Sequence, residues 1–188
     1  MNKKTIIAIV ILAAILAGGG FLMWQNSKAV VKDLNATLPD GVRVVKSMFG
    51  NEYKVVNKID GYEFTVPKEW EGIEEIYYTP KESLEIYSVA TLEIIGRIGL
   101  NRFASINSFS DKKEQLSPLN LAEREFETFQ LEGDFQQETV GRINTVKTQE
   151  NTNLNGMYVY FFEETQTTYA ITNASEDYIR QMILTGKW

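Results

Sequence analysis

Residues 60–70, Asp60-Gly61-Tyr62-Glu63-Phe64-Thr65-Val66-Pro67-Lys68-Glu69-Trp70, decide how this chain folds. Asp-Gly is a hairpin dipeptide, because glycine enters the positive-φ region at little cost. Tyr62, Phe64 and Val66 then alternate with Glu63 and Thr65. Successive side chains on a strand point to opposite faces, so this alternation means a strand with one side on a core. Pro67 ends it, having no N–H to give to a ladder. Trp70 follows in a short loop and is placed to fold back over the core.

The same logic extends both ways. Upstream, Val42–Val45 and Tyr53–Val56 are β-rich and flank Gly50-Asn51, which predicts an antiparallel hairpin. Pro39-Asp40-Gly41 is turn chemistry and opens the globular part. Downstream, Ile73–Thr79 and Leu84–Val89 read as strands around a turn at Thr79-Pro80-Lys81-Glu82, and Thr91–Ile98 as another. Phe103–Phe109 pairs with it or forms a loop, and the glycines at 96 and 99 read as a bulge or bend.

At Ser117–Leu131 the period changes. Leu119, Ala122, Phe126 and Phe129 recur at helical steps, Ser117 or Asn120 caps the start, and Gly133 stops the helix. Thr139–Gln149, Met157–Glu163 and Thr167–Thr172 return to β character, with turns at Asn153–Gly156 and Glu163–Gln166. Met157–Phe162 is apolar on both faces, as in a strand covered on both sides. Ser175 caps a last helix with apolar face Tyr178, Ile179, Met182 and Ile183; Gly186 ends it and Trp188 packs. The total is α+β: an antiparallel sheet of about six to eight strands flanked by two helices.

Ahead of all this stands Thr5–Trp24, TIIAIVILAAILAGGGFLMW, with no charged residue. Twenty helical residues rise about 30 Å, the thickness of a bilayer's hydrocarbon. Three readings compete: a retained signal-anchor helix, a cleaved signal using Ser27-Lys28-Ala29, and a buried core helix. Length favours the anchor, since a secretory signal core runs only about 7–15 residues. Lys3 and Lys4 before the span place the amino terminus in the cytoplasm and the following domain outside. The expected organisation is a cytoplasmic start at 1–4, a transmembrane helix at 5–24, a juxtamembrane linker at 25–40 and an extracytoplasmic domain at 41–188. Gly18–Gly20 is no phosphate loop, because no Lys-Ser/Thr follows it.

Composition removes whole classes of chemistry. The 188 residues include neither His nor Cys. Ser-His-Asp and Cys-His catalysis, His- or Cys-ligated zinc, disulfides and lipoprotein anchoring are thereby excluded. Net charge is −6, or −8 without Lys3 and Lys4, and no basic stripe is present. Such a surface repels nucleic acid and anionic headgroups. With 44% hydrophobic and 12% aromatic residues, the chain is folded rather than disordered.

Gly61-Tyr62, Phe64, Pro67 and Trp70 match a G-Y-x-F-x-x-P-x-x-W pattern, followed by a Gly141-Arg142-Ile143 strand, an aromatic strand Met157–Phe162, a Tyr169-Ala170-Ile171 strand and a closing helix. In these features the chain from Lys58 to Trp188 resembles the PsbP/Mog1-like domains. The resemblance implies a twisted antiparallel sheet between helices and an interaction module rather than an enzyme. The matching positions are packing residues, so it transfers no functional residue.

No catalytic, cofactor-binding or metal-ligating residue is assigned. Glu74-Glu75 and Glu163-Glu164 are adjacent acids, and strand neighbours point apart, so they read as solvated edges. Asp111, Glu114 and Asp134 lack the spacing of an oxygen-ligated calcium loop. Arg97, Arg102 and Arg142 carry no signature, although Arg142 could clamp a carboxylate. The aromatic set Tyr77, Tyr78, Tyr158, Tyr160, Phe161, Phe162 and Tyr169 is mainly core. If the sheet is covered on one side only, Tyr77/Tyr78 and Tyr158/Tyr160 each turn one ring outward, where tyrosine favours protein contact. The expected function is a single-pass, membrane-anchored interaction module that assists assembly or stability of an envelope complex. Its partners are lipid around the helix and a protein, not nucleic acid, and it needs no cofactor. The alternatives are a membrane-tethered enzyme using carboxylates or a small-ligand or lipid carrier.

Overall fold

The computed structural model describes residues 29–46, 52–68, 70, 72–96, 102–113, 116–149 and 157–188. The apolar run 5–24, Arg97, Gly99, Glu114 and the turn at 153–156 lie outside them. Among the described residues no helix is long and apolar enough to cross a membrane.

The strand at Tyr62–Thr65 (β3) closes a three-stranded antiparallel sheet with β1 (Val42–Lys46) and β2 (Tyr53–Asn57), in the order β1-β2-β3. The predicted hairpin forms, pairing Val44 with Val55 and Lys46 with Tyr53. Helical residues 29–35 (α1) lie beside its outer strand. Asn35 at their end accepts from the Val44 N–H at 2.7 Å and donates to its carbonyl at 3.0 Å. One amide side chain thus occupies the ladder groups that an edge strand otherwise leaves open.

The second sheet has seven antiparallel strands: β4 (Ile73–Ser83), β5 (Ser88–Gly96), β6 (Arg102–Ser110), β7 (Phe135–Val140), β8 (Ile143–Thr148), β9 (Tyr160–Glu164) and β10 (Thr167–Thr172). Their order is β4-β5-β6-β10-β9-β8-β7. Helix α2 (Pro118–Thr128) packs on one face, against β8 and β9. Helix α3 (Glu176–Thr185) and the small sheet cover the other. The α+β class stands, but among the described residues the strands form two sheets where the sequence suggested one, and helical residues 29–35 lie within the expected linker beside the two predicted helices.

Each face has its own core. The inner one joins Val44, Val55, Tyr62, Phe64, Trp70, Leu92, Ile106, Phe162, Tyr169, Ile171, Ile179 and Trp188. The outer one is smaller and joins Tyr87, Phe109, Leu121, Ala122, Phe126, Val146, Phe161 and Ala170. Strand β9 feeds both, which explains its apolar residues on two sides. Trp70 closes the inner core as expected, stacked on Phe103 at 5.3 Å between ring centroids. A Cβ on Gly96 would stand 2.1 Å from Phe103 Cζ, so glycine makes room for that ring. The ladder between β5 and β6 shifts between Ile94 and Ile95, and the extra residue is Phe103 on β6 rather than a glycine of β5.

Several boundaries differ from the sequence reading. Thr79–Glu82 is not a turn: β4 runs through Pro80 to Ser83, and the chain turns at 84–87, so Leu84–Tyr87 is not strand. β4 is an edge strand whose register shifts between Thr79 and Glu82, so the missing proline N–H costs no ladder bond. Thr139–Gln149 is not one strand. Gly141, at φ 64°, and Arg142 turn β7 into β8, so Gly141-Arg142-Ile143 is a hairpin corner. Helix α2 buries Leu121, Ala122 and Phe126, while Phe129 stands 66% exposed. It ends at Thr128, with Phe129 as its C-cap, well before Gly133, and Gln130 takes a positive φ just beyond. Ser117 caps it through the Asn120 N–H, whereas Ser175 makes no such side-chain bond at α3.

Candidate functional site

Register across the large sheet shows where its outer face is covered. One row of paired residues runs Thr79, Thr91, Asn107, Ala170, Phe161, Val146, Gln137. It is polar over β4–β6, apolar beneath α2, and polar again at the β7 edge. The next row begins Tyr77, Glu93, Ser105, Thr172. Helix α2 therefore covers the β8–β9 half of this face and, with Tyr87, the Phe109 end of β6; among the described residues no helix covers the rest of the β4–β6 half, where Tyr77 and Thr79 are exposed, Thr91, Glu93 and Asn107 half-buried and Ser105 buried.

Tyr77 lies on the open half and is 42% exposed, while its neighbours Ile76 and Tyr78 turn into the inner core. Its hydroxyl donates to Glu75, two residues back on the same face. That bond raises the phenol pKa above its ordinary value. Thr91 donates to Asn107 Oδ1 at 2.8 Å in the adjoining row. Of the other aromatics, Tyr160, Phe162 and Tyr169 are buried on the inner side, Phe161 is buried under α2, and Tyr158 is half-buried. The outward ring is therefore Tyr77, and the Tyr158/Tyr160 pair contributes none of comparable exposure.

Acids converge elsewhere, where α3 crosses β7–β9. The fully buried Tyr160 places its phenol oxygen 2.8 Å from Glu138 Oε1 and 2.7 Å from Glu176 Oε1. Lys147 donates to Glu176 at 2.7 Å, and Arg180 to Glu138 at 2.5 Å. Two carboxylates and two cations balance. Burial works against the Lys147 charge, but Glu176 and Glu138 outweigh it and hold the lysine pKa above its ordinary value. The Lys147 hydrogen bond holds Glu176 below the ordinary glutamate value. Burial and Glu176 push the Tyr160 phenol far up. These three groups are displaced away from neutrality, where a general acid or base would need to sit. The cluster pins α3 to the sheet.

Two other carboxylates are shifted up. Burial raises Asp60, which receives Tyr78 at 3.3 Å and the Asn57 amide at 2.7 Å. Burial also raises Glu125 on α2, which accepts the Tyr87 hydroxyl. They lie on opposite sides of the sheet and form no pair. Among the described residues no three acids gather as a metal-binding group.

The sequence candidates are dispersed. Glu163 pairs with Lys112 at 2.5 Å, Asp111 with Lys81, and Arg142 is exposed in the β7–β8 turn. A cleft of ≈ 790 Å³ lies between Ser110–Lys113, Ser117 and the β9–β10 turn. Lys112 is the most enclosed cation there and is already bonded to Glu163 and to Thr168 Oγ1 at 2.9 Å. The Lys147–Tyr160 cluster was missed from sequence. Its members are spread from 138 to 180, and no local spacing joins them.

Searches of protein-family models, curated proteins and solved structures return no match to this chain.

Proposed function

We propose that this chain is a single-pass, membrane-anchored interaction module that presents the open β4–β6 half-face to a protein partner outside the membrane, assisting assembly or stability of an envelope complex. The observation that carries the reading is the half-covered sheet. A folded domain with α2 over β8–β9 leaves a largely polar part of the sheet without a helix over it and with an outward tyrosine, whereas its convergent acids are neutralised at a structural joint.

The apolar run 5–24 supports the anchor, and Asn35 ties the chain just beyond it to β1. The PsbP/Mog1-like resemblance supports the same reading through its motif residues and its expected sheet between helices. Placement is testable because the chain lacks Cys. Glu123→Cys, on the exposed side of α2, should react with a membrane-impermeant maleimide on intact cells. Reaction only after lysis would place the domain inside and sink the proposal.

A further inference from the structure

The edge strands of the two sheets are β1, β3, β4 and β7. An open edge invites another strand, and folds usually blunt it. Asn35 occupies the β1 ladder groups at Val44, and Lys187 bridges β3 at Glu63. β4 carries Pro80 and Lys81 and shifts register at both ends. β7 has none of these devices. It holds no proline or lysine, and its register with β8 is unbroken from the Phe135/Thr148 pair to the Val140/Ile143 pair.

The direction of its main-chain groups follows from neighbouring bonds. The Gln149 N–H donates to the Asp134 carbonyl at 3.0 Å, so the Asp134/Gln149 pair is hydrogen-bonded. The Thr148 N–H points the other way, to the Val159 carbonyl at 3.1 Å. Bonded pairs alternate along an antiparallel ladder, so Gln136, Glu138 and Val140 bond to β8. Phe135, Gln137 and Thr139 turn their N–H and carbonyl groups outward, and among the described residues nothing receives them. The one acid of the strand, Glu138, is held by Arg180 and Lys147 on the inner face. On the outer face a groove of ≈ 480 Å³ lies between Ser117–Leu119, at the start of α2, and Thr139 and Asn144. Phe135 stands at the other end of the strand, half-buried and edge-on to Phe126 at 4.8 Å.

We propose that β7 pairs antiparallel with β7 of a second copy, Gln137 opposite Gln137, so that the two large sheets continue into one across a two-fold axis. The inference concerns a different surface from the β4–β6 half-face and does not rest on that reading. Outward groups must meet outward groups, which sets Gln137 opposite Gln137 or opposite Thr139. The latter puts Glu138 against Glu138, and like charges directly opposite are unfavourable. The former puts Glu138 against Gln136 and Phe135 against Thr139. Phe135 and Thr139 stand equally far from Gln137, so the axis carries each copy's only β7 aromatic to the groove beside the other's Thr139. The edge is self-complementary in hydrogen bonds, charge and shape, as an isologous contact requires.

Because the chain lacks Cys, one introduced thiol reads the register in the membranes of the cells that make it. A hydrogen-bonded antiparallel pair holds its Cα atoms about 5.5 Å apart, within disulfide reach. On mild oxidation, Gln137→Cys should give a disulfide-linked dimer of the full chain, about tenfold more than Thr139→Cys or Glu123→Cys. Gln137→Pro removes an N–H that β8 does not use, and Gln137→Lys sets like charges face to face. Each should weaken dimerisation in detergent about tenfold by sedimentation, with the circular dichroism unchanged. Equal dimer from all three cysteine variants overturns the pairing, because contact through another part of the chain gives no preference for 137. A Gln137→Cys disulfide to a different protein without the dimer, or no disulfide at all, overturns it too. So does a parent chain that sediments as a monomer, or a dimer that both Gln137→Pro and Gln137→Lys leave intact.

Discussion

Lys187 and Glu63 exchange both of their backbone hydrogen bonds, at 2.7 and 2.8 Å, so the last residues of the sequence pair with β3. This bridge sets Trp188 between the two sheets. Its ring stacks on Tyr62 and Phe64 with centroids at 5.3 and 5.9 Å and meets Phe162 edge-on at 5.0 Å. Trp188→Ala should therefore cost about 3–5 kcal/mol, the range for emptying a large aromatic site. Urea denaturation of the full chain in detergent checks it. A loss below about 1 kcal/mol would mean that the tail only decorates the core.

Gly96 and Phe103 form a second fitted pair. Gly96→Ala puts a methyl where the Phe103 ring lies, and the ring must leave Trp70 or the strand must shift. Overpacking of this kind costs about 1–3 kcal/mol. The expected loss should come with a red shift in tryptophan emission as Trp70 becomes wetter. Unchanged stability and emission would contradict the packing described.

Glu125 gives a pH signature. Burial raises its pKa in the folded protein, so the folded state binds that proton more tightly than the unfolded one. Its contribution to stability is then best at acid pH. It declines as pH rises from the ordinary glutamate value of 4.5 through the raised folded value. Glu125→Gln keeps an acceptor for Tyr87 and removes the buried charge. The variant should gain in Tm relative to the parent at neutral pH, and the gain should vanish below about pH 4. A gain independent of pH would refute the assignment.

The Lys147 joint has the opposite sign. Glu176 is held below its ordinary value, so its contribution is complete above 4.5 and is lost as pH falls through the lower folded value. Tyr160→Phe should cost about 1.5–3 kcal/mol, the range for hydrogen bonds to charged groups. The cost should shrink in acid as Glu176 takes up its proton. Hydrogen exchange should show α3 loosened before the small sheet.

What the sequence disclosed was whatever is written locally. Tyr62, Phe64 and Val66 announce their strand by period two, Asp60-Gly61 its turn, and Ser117 with Pro118 the start of α2. Thr167–Thr172 is read to the residue. What it concealed depends on partners. Pro80 looks like a turn until β4 is known to be an edge, where its missing N–H faces no neighbour. Gly141-Arg142 looks continuous with its flanks until a positive φ at Gly141 folds β7 onto β8. Phe129 keeps helical spacing yet lies past the end of α2. For the candidate surface, alternation within β4 places one of Tyr77 and Tyr78 outside. Only the position of α2 tells that the outer side of β4–β6 is open.

The central claim is that this open half-face is where a partner sits. Its most direct test is site-specific photocrosslinking of the full chain in the membranes of the cells that make it. A benzoylphenylalanine is placed at Tyr77, at Thr91 or, as a control, at Glu123 on α2. The account predicts one dominant crosslinked protein from positions 77 and 91 and none from 123. Crosslinks from 123 equal to those from 77 and 91, or none from 77 and 91 in well-expressed protein, would contradict it.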